Sequence, residues 1–285
     1  MTFLAMFLFA FFQEAPSAPV NPAPSDPATA IQSFYAQKDW EPAADASAPE
    51  WAAVQQYAVT ASKDTFGKPV NGLTTEIRSR WTHKNLYLLF TCPYDKLNLK
   101  KDPVTDEKTN KLWNWDVAEA FIGSNYLKIS HYKEFQVSPR GEFVDLDIDL
   151  SDPKARGIDW DSGIAVKGKI DAEKKIWYGE MRIPFQSLDV KQAKVGDELR
   201  IGLYRISGAD PNRVLIAWRP TGASTFHVPE TFGSLVLMKD PAEKSPAEKA
   251  VTERTALEKA QVERQDEKKD EKRDEKKEDK KDDRK

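Results

Sequence analysis

The chain has 285 residues, of which 31% are charged and 40% hydrophobic, and its formal net charge is −3. This length fits one large domain or two small ones. Acidic and basic residues are interleaved along the chain, so it has no basic stripe of the kind that binds a phosphate backbone. The composition predicts a globular protein and excludes nucleic acid as an expected partner.

An apolar run occupies positions 3–12 and is followed by prolines and small residues near positions 15–18. A membrane-spanning helix needs about 20 apolar residues, roughly twice this length. The pattern is typical of the apolar region and cleavage zone of a secretory signal. We therefore predict a signal peptide over residues 1–18, no membrane span in the mature chain, and export to the periplasm, the cell surface or the extracellular space.

Composition divides the rest of the chain into three parts. Residues 19–44 are rich in Pro and Ala and are predicted to form a linker. Residues 45–240 hold nearly all the remaining aromatic residues and are predicted to form one ordered domain. Residues 241–285 are almost entirely charged and are predicted to be either a disordered tail or a solvated helix. One possible role of this tail is to contact the cell envelope.

Short segments of alternating polarity recur through the central domain, separated by Gly, Pro, Asn and Asp. Such alternation is typical of strands with one face toward solvent. The predicted strands are, in chain order, Thr75–Thr82, Leu86–Cys92, Asp116–Ile122, Tyr132–Ser138, Glu142–Asp149, Ile164–Ile170, Ile176–Ile183, Glu198–Ile206, Val214–Trp218 and Ser234–Met238. One helical turn is predicted at Pro184–Leu188. We predict an all-β fold, a β-sandwich of antiparallel strands of the jelly-roll type.

The sequence carries no recognisable catalytic motif. Its three histidines, His83, His131 and His227, lie in no zinc-binding pattern, and G-x-S-x-G does not occur. The single cysteine, Cys92, lies in an apolar run and has no partner for a disulfide or a zinc site. We therefore expect a protein that is not an enzyme, with Cys92 buried.

Three aspartates alternate along one predicted strand, at Asp145, Asp147 and Asp149. Alternate residues of a strand share a face. Carboxylate oxygens are ligands that Ca²⁺ prefers, but this spacing matches no calcium-binding motif. We expect an acidic, solvent-facing surface rather than a metal site.

Four segments in a fixed order resemble the family 9 carbohydrate-binding modules and their DOMON-like relatives. They are IRSRWTHKNLYL at 77–88, WNWDVAEAFI at 113–122, FQVS at 135–138 and FHVPETFGSL at 226–235. The resemblance extends over residues 51–239, nearly the whole ordered domain. It implies a β-sandwich that holds a sugar, as an oligosaccharide or a polysaccharide, between two aromatic side chains.

The resemblance also implies which residues bind the sugar. A pyranose ring has an apolar face that stacks on an aromatic ring and a rim of hydroxyls that needs charged or amide partners. Carried over position by position, the carbohydrate-binding residues are Trp113, Glu119, Gln136, Ser138 and Phe226. Trp115 and Trp218 are candidates either to support the same pocket or to cover an edge of the sandwich. Phe226 stands where the family has a second tryptophan, and Gln136 where it has an arginine. No cofactor is expected, although calcium stays open because sugar-binding members of the family carry it.

Two other functions remain as alternatives. One is a structural or interaction module of the cell envelope that uses the same sandwich without a ligand. The other is a haem-binding domain, since DOMON-like sandwiches include such members and axial ligation uses Met and His. The candidate methionines within the domain are Met181 and Met238.

Overall fold

The structure is a computed structural model that describes residues 26, 28–152, 154 and 157–242. The predicted signal peptide, and the charged tail from residue 243 onward, lie outside these residues. Within the described ranges no helix has the length and apolar character needed to cross a membrane.

Strands make up nearly all of the regular structure. They are β1 (Ala30–Tyr35), β2 (Val59–Ala61), β3 (Lys63–Asp64), β4 (Thr75–Trp81), β5 (Asn85–Pro93), β6 (Val117–Gly123), β7 (His131–Val137), β8 (Phe143–Asp149), β9 (Ala165–Asp171), β10 (Ile176–Pro184), β11 (Glu198–Ser207), β12 (Val214–Ala217) and β13 (Gly233–Met238). A short α-helix, α1, spans Pro49–Ala52, and single 3-10 turns lie at Gln55–Tyr57, Leu112–Asn114, Phe185–Leu188 and Pro229–Thr231. Every predicted strand is present with bounds within about one residue, and the all-β prediction is confirmed.

The main strands follow one another in the order β8-β7-β6-β11-β13-β1-β4-β5-β10-β9, and β12 pairs with β11. Strand β1 joins the two halves and runs parallel to both of its neighbours, β13 and β4. The other strand pairings among the described residues are antiparallel, so the expected antiparallel arrangement holds except at β1. This strand also lies inside the segment predicted as a linker. Ile31 and Phe34 of this strand are buried on opposite faces of the sheet, so the folded domain begins before residue 45.

The inner faces of the two halves pack against each other. The core between them includes Trp81, Phe90, Phe135, Trp177 and Leu203, each at most 1% exposed. At one edge the halves approach closely, because a Cβ added at Gly168 of β9 would lie 2.4 Å from the carbonyl oxygen of Ser138. Cys92 is buried in this core, as expected, and burial raises the pKa of its thiol to about 12.

A buried carboxylate fixes the segment that follows β1. Glu180 on β10 is 1% exposed and accepts hydrogen bonds from the indole N–H groups of Trp40 (2.7 Å) and Trp51 (3.1 Å). It also accepts from the backbone N–H groups of Ala43 (2.9 Å) and Ala44 (2.7 Å). Burial raises the pKa of Glu180, and these donors oppose that effect. The segment thereby covers the outer face of β5 and β10. It does not cover the outer face of the other half, which contains β6 and β7.

Candidate functional site

Polar side chains lie in the middle of the outer face of β6 and β7. Glu119 of β6 stands opposite Gln136 of β7, and Phe121 stands opposite Glu134. Since alternate residues share a face, these four side chains lie on the same side of the sheet. Glu119, Glu134 and Gln136 are 2%, 3% and 1% exposed, so this is a buried polar group and not a solvated surface.

A pocket with a volume of about 440 Å³ opens over this polar group. Its walls come from the segments 110–113 and 224–227 and from the start of β12. Apolar side chains flank the polar centre on both sides: Leu146, Ile148 and Ile158 on the β8 side, and Ile206 and Leu215 on the β12 side. A pocket that is mostly apolar with a few convergent polar groups is typical of a small-molecule site.

Phe226 lines the pocket, and one face of its ring packs against Tyr204. Its ring stacks on that of Tyr204, with centroids 4.3 Å apart and planes inclined by 10°. The Tyr204 ring in turn lies over Gly202, where a Cβ would come within 2.5 Å of it. Phe226 is therefore only 5% exposed, and little of its ring surface is accessible to a ligand.

Trp113 lies in the 3-10 turn Leu112–Asn114, which precedes β6. Leu112 is fully buried beneath it and anchors the turn, while Trp113 remains partly exposed to the pocket. The Nη2 of Arg213, at the start of β12, donates a hydrogen bond to the backbone carbonyl of Trp113. Arg213 therefore positions the turn that carries the more accessible of the two rings.

The two carboxyl groups of the pocket have different surroundings. Glu134 accepts a hydrogen bond from Gln136 Nε2 (2.6 Å) and has the Nε2 of His227 4.0 Å from its other oxygen. The Oε1 atoms of Glu119 and Gln136 are buried and have no hydrogen-bond partner among the described residues. Burial, followed by the charge of Glu134, raises the pKa of Glu119 well above its usual value, and Arg213 opposes this shift.

His227 closes the pocket on the side of β7. Its Nδ1 lies 2.6 Å from the hydroxyl of Tyr132, and its ring lies over Phe121, with centroids 5.1 Å apart. When Tyr132 donates to Nδ1, the Nε2 of His227 carries the proton and faces Glu134. In that tautomer the wall supplies a donor on one side of the carboxyl pair.

The model of the family described as carbohydrate family 9 binding domain-like matches residues 44–240. The chain belongs to this family. The resemblance to family 9 carbohydrate-binding modules is thereby confirmed, while the likeness to DOMON-like proteins stays a prediction. The members of this family are binding modules, so the match agrees with the expectation that the chain is not an enzyme.

Solved structures share the fold. A Bacteroides uniformis protein named "putative carbohydrate-binding protein" aligns with a TM-score of 0.56 and 13% identity over 73% of this chain and 99% of its own. A family 9 carbohydrate-binding module from Caldicellulosiruptor kristjanssonii, in complex with cellotriose, aligns with a TM-score of 0.50 and 15% identity over 76% of this chain and 98% of its own. A curated relative from Arthroderma benhamiae, named "Extracellular protein", is 25% identical over 177 residues, which cover 58% of this chain and 78% of the relative.

Of the residues predicted for this family 9 site, the pocket brings together Trp113, Glu119, Gln136 and Phe226. The other three lie elsewhere. Ser138 is in the turn between β7 and β8, where its hydroxyl donates to the carboxylate of Glu142 and accepts from the backbone N–H of that residue (3.1 Å).

Neither tryptophan predicted as a support lines the pocket. Trp115 is partly buried and packs against the apolar side chains beside the pocket. Trp218 is 6% exposed, belongs to the core between the sheets and lies on Gly233, where a Cβ would come within 2.6 Å of its ring. A supporting role for either tryptophan stays a prediction.

The pocket residues that the sequence did not predict include Glu134, His227 and Arg213. Glu134 shares the alternation of Gln136 on the same strand, so the period of two would have found it. His227 adjoins the predicted Phe226 and has no signal of its own. Arg213 lies in the connection between β11 and β12, and only the pairing of those strands brings it near Glu119.

The three alternating aspartates share one face of the strand, but that face is not uniformly exposed to solvent. Asp145 is wholly buried, and its carboxylate receives the backbone N–H of Ser162 (2.7 Å). Each carboxylate has a lysine Nζ as its partner: Asp145–Lys108 (2.9 Å), Asp147–Lys133 (2.9 Å) and Asp149–Lys128 (2.6 Å). No three His, Cys, Asp or Glu side chains gather as a metal ion would require in the described part of the chain. The expectation of no resident metal stays a prediction.

Proposed function

We propose that this protein is exported and binds a saccharide, without catalysis, in the pocket between Trp113 and the carboxyl groups of β6 and β7. The observation that carries the proposal is the pair of buried oxygens, Glu119 Oε1 and Gln136 Oε1, that have no hydrogen-bond partner among the described residues. Buried polar atoms without partners are costly, and adjacent sugar hydroxyls would satisfy both of them.

The aromatic contact is unequal in this proposal. Trp113 is the partly exposed ring and supplies the main stacking surface, while Phe226 contributes the edge that its contact with Tyr204 leaves free. The apolar side chains beside the polar centre then cover the C–H groups of the sugar, and the carboxyl and amide groups bind its rim.

Relatives support export and indicate which sugar to test first. The C. kristjanssonii module was solved with cellotriose, so β-linked glucose oligosaccharides are the first ligands to test. The curated relative is named an extracellular protein, in agreement with the apolar run at positions 3–12.

The test is a glycan array probed with wild type, Trp113→Ala and Phe66→Ala. Phe66 is 67% exposed and does not line the pocket, so its variant controls for loss of an aromatic side chain. We expect wild type and Phe66→Ala to bind the same glycans and Trp113→Ala to lose them. Equal binding by all three proteins would rule out this pocket, and no binding by wild type would favour the ligand-free envelope module.

A further inference from the structure

Two carboxyl groups share the pocket but are not equivalent. Glu119 and Glu134 lie on adjacent strands, offset by two residues in register, and both face the same buried space. Two negative charges at such a separation, away from water, repel each other strongly. One carboxyl group can stay ionised at modest cost only if the other holds a proton.

The donors of the pocket select which carboxyl group is ionised. Gln136 donates to Glu134, and the Nε2 of His227 faces the same carboxylate at 4.0 Å. Hydrogen bonds donated to a carboxyl group favour its charged form. Glu119 receives no such stabilisation at Oε1, which is buried without a partner in the described residues.

Other charged and titratable groups also face Glu119. Arg213, in the connection that precedes β12, favours the charged form of Glu119, but its guanidinium donates a hydrogen bond to the carbonyl of Trp113. Lys111 lines the mouth of the pocket and is exposed, so water screens its charge. Tyr204 of β11 stands directly opposite Glu119 and is a neutral phenol at physiological pH. Burial and the charge of Glu134 outweigh these influences.

We propose that Glu119 is a neutral carboxylic acid at physiological pH, that Glu134 carries the charge of the pair, and that Glu119 donates a hydrogen bond to the bound saccharide. This rests on the proposed function and deepens it, because Glu119 then donates a hydrogen bond as well as accepting one. A neutral acid in an apolar pocket can donate through its O–H and accept through its C=O. Sugar hydroxyls accept as well as donate, so they match both atoms.

The proton can be observed without any ligand. In protein labelled with ¹³C at glutamate carboxyl carbons, the resonance missing from Glu119→Gln belongs to Glu119. We expect this resonance to have the shift of a protonated carboxyl group at neutral pH and to titrate only above the ordinary glutamate range of about 4 to 5. In Glu134→Gln the Glu119 titration should move to lower pH, because the neighbouring charge is removed. Titration of Glu119 within the ordinary range in wild type would overturn the proposal.

The role as a donor is tested by binding, using cellotriose and isothermal titration between about pH 5 and pH 9. A glutamine amide has the same donor and acceptor as a neutral acid, so Glu119→Gln should bind within about threefold of wild type at low pH. Wild type should lose affinity as the pH rises through the pKa of Glu119, while Glu119→Gln should not. Glu119→Ala should lose at least about tenfold at every pH.

The outcomes separate the two proposals. A large loss in Glu119→Gln, together with wild-type affinity that increases with pH, would show an ionised acceptor and overturn the inference while leaving saccharide binding intact. Failure of wild type to bind any glycan would overturn the proposed function, and the NMR titration would still decide which carboxyl group holds the proton.

Discussion

Truncation of Trp113 should mainly weaken ligand binding, whereas truncation of Phe226 should mainly lower stability, although both residues line the pocket. Trp113 is partly exposed and its turn is anchored by buried Leu112, so its indole contributes mainly to the ligand. If a sugar face removes about 80 Å² of apolar surface from water against this ring, the gain is about 2 kcal/mol at 25 cal/mol per Å². Trp113→Ala should therefore weaken saccharide binding about 30-fold. Its free energy of unfolding should fall by less than about 1 kcal/mol.

Phe226→Ala should mainly reduce the free energy of unfolding. The ring is 5% exposed and stacks on Tyr204 at 4.3 Å, so its removal leaves a cavity beside the sheet. Truncation of a buried phenylalanine costs about 3 kcal/mol or more. Urea denaturation and titration calorimetry on both variants measure the two effects separately. If Phe226→Ala were as stable as wild type while Trp113→Ala unfolded, the assignment of one ring to packing and the other to the ligand would be wrong.

Three further predictions concern the scaffold. Glu180→Ala leaves four N–H donors without their acceptor, two of them buried and two partly buried, so urea denaturation should show a loss of at least about 2 kcal/mol. Hydrogen exchange in the segment 40–51 should become faster, and unchanged exchange there would contradict the anchoring role. Asp145→Asn removes the charge that the partly exposed Lys108 faces and should cost about 1 to 3 kcal/mol, because the buried side chain loses its ionic interaction with that lysine. The double variant with Lys108→Met should recover part of this loss. Cys92, with its thiol pKa raised to about 12, should react with a thiol reagent only after unfolding, and rapid labelling of the native protein would show that the core opens.

Much of the sandwich was readable from the sequence because alternation is a local property. The period of two located the strands, and the family resemblance assigned Glu119 and Gln136, on two of these strands, to one site. It failed for β1, where Ile31 and Phe34 stand close to a stretch rich in Pro and Ala. Parallel pairing with two distant strands makes β1 part of the sheet, and no local pattern indicates such partners.

Tertiary structure alone decided what each site residue contacts. The stack of Phe226 on Tyr204 and Gly202, and the approach of Arg213 to the turn of Trp113, depend on the pairing of β11 with β12 and on how the loops close over the sheet. Ser138 shares the alternation of Gln136, yet the turn to β8 takes its hydroxyl for a local hydrogen bond. Sequence periodicity determined which face of a strand each residue occupies, because side-chain direction alternates along the backbone. Register and loop packing determined its neighbours, because those contacts join residues far apart in the chain.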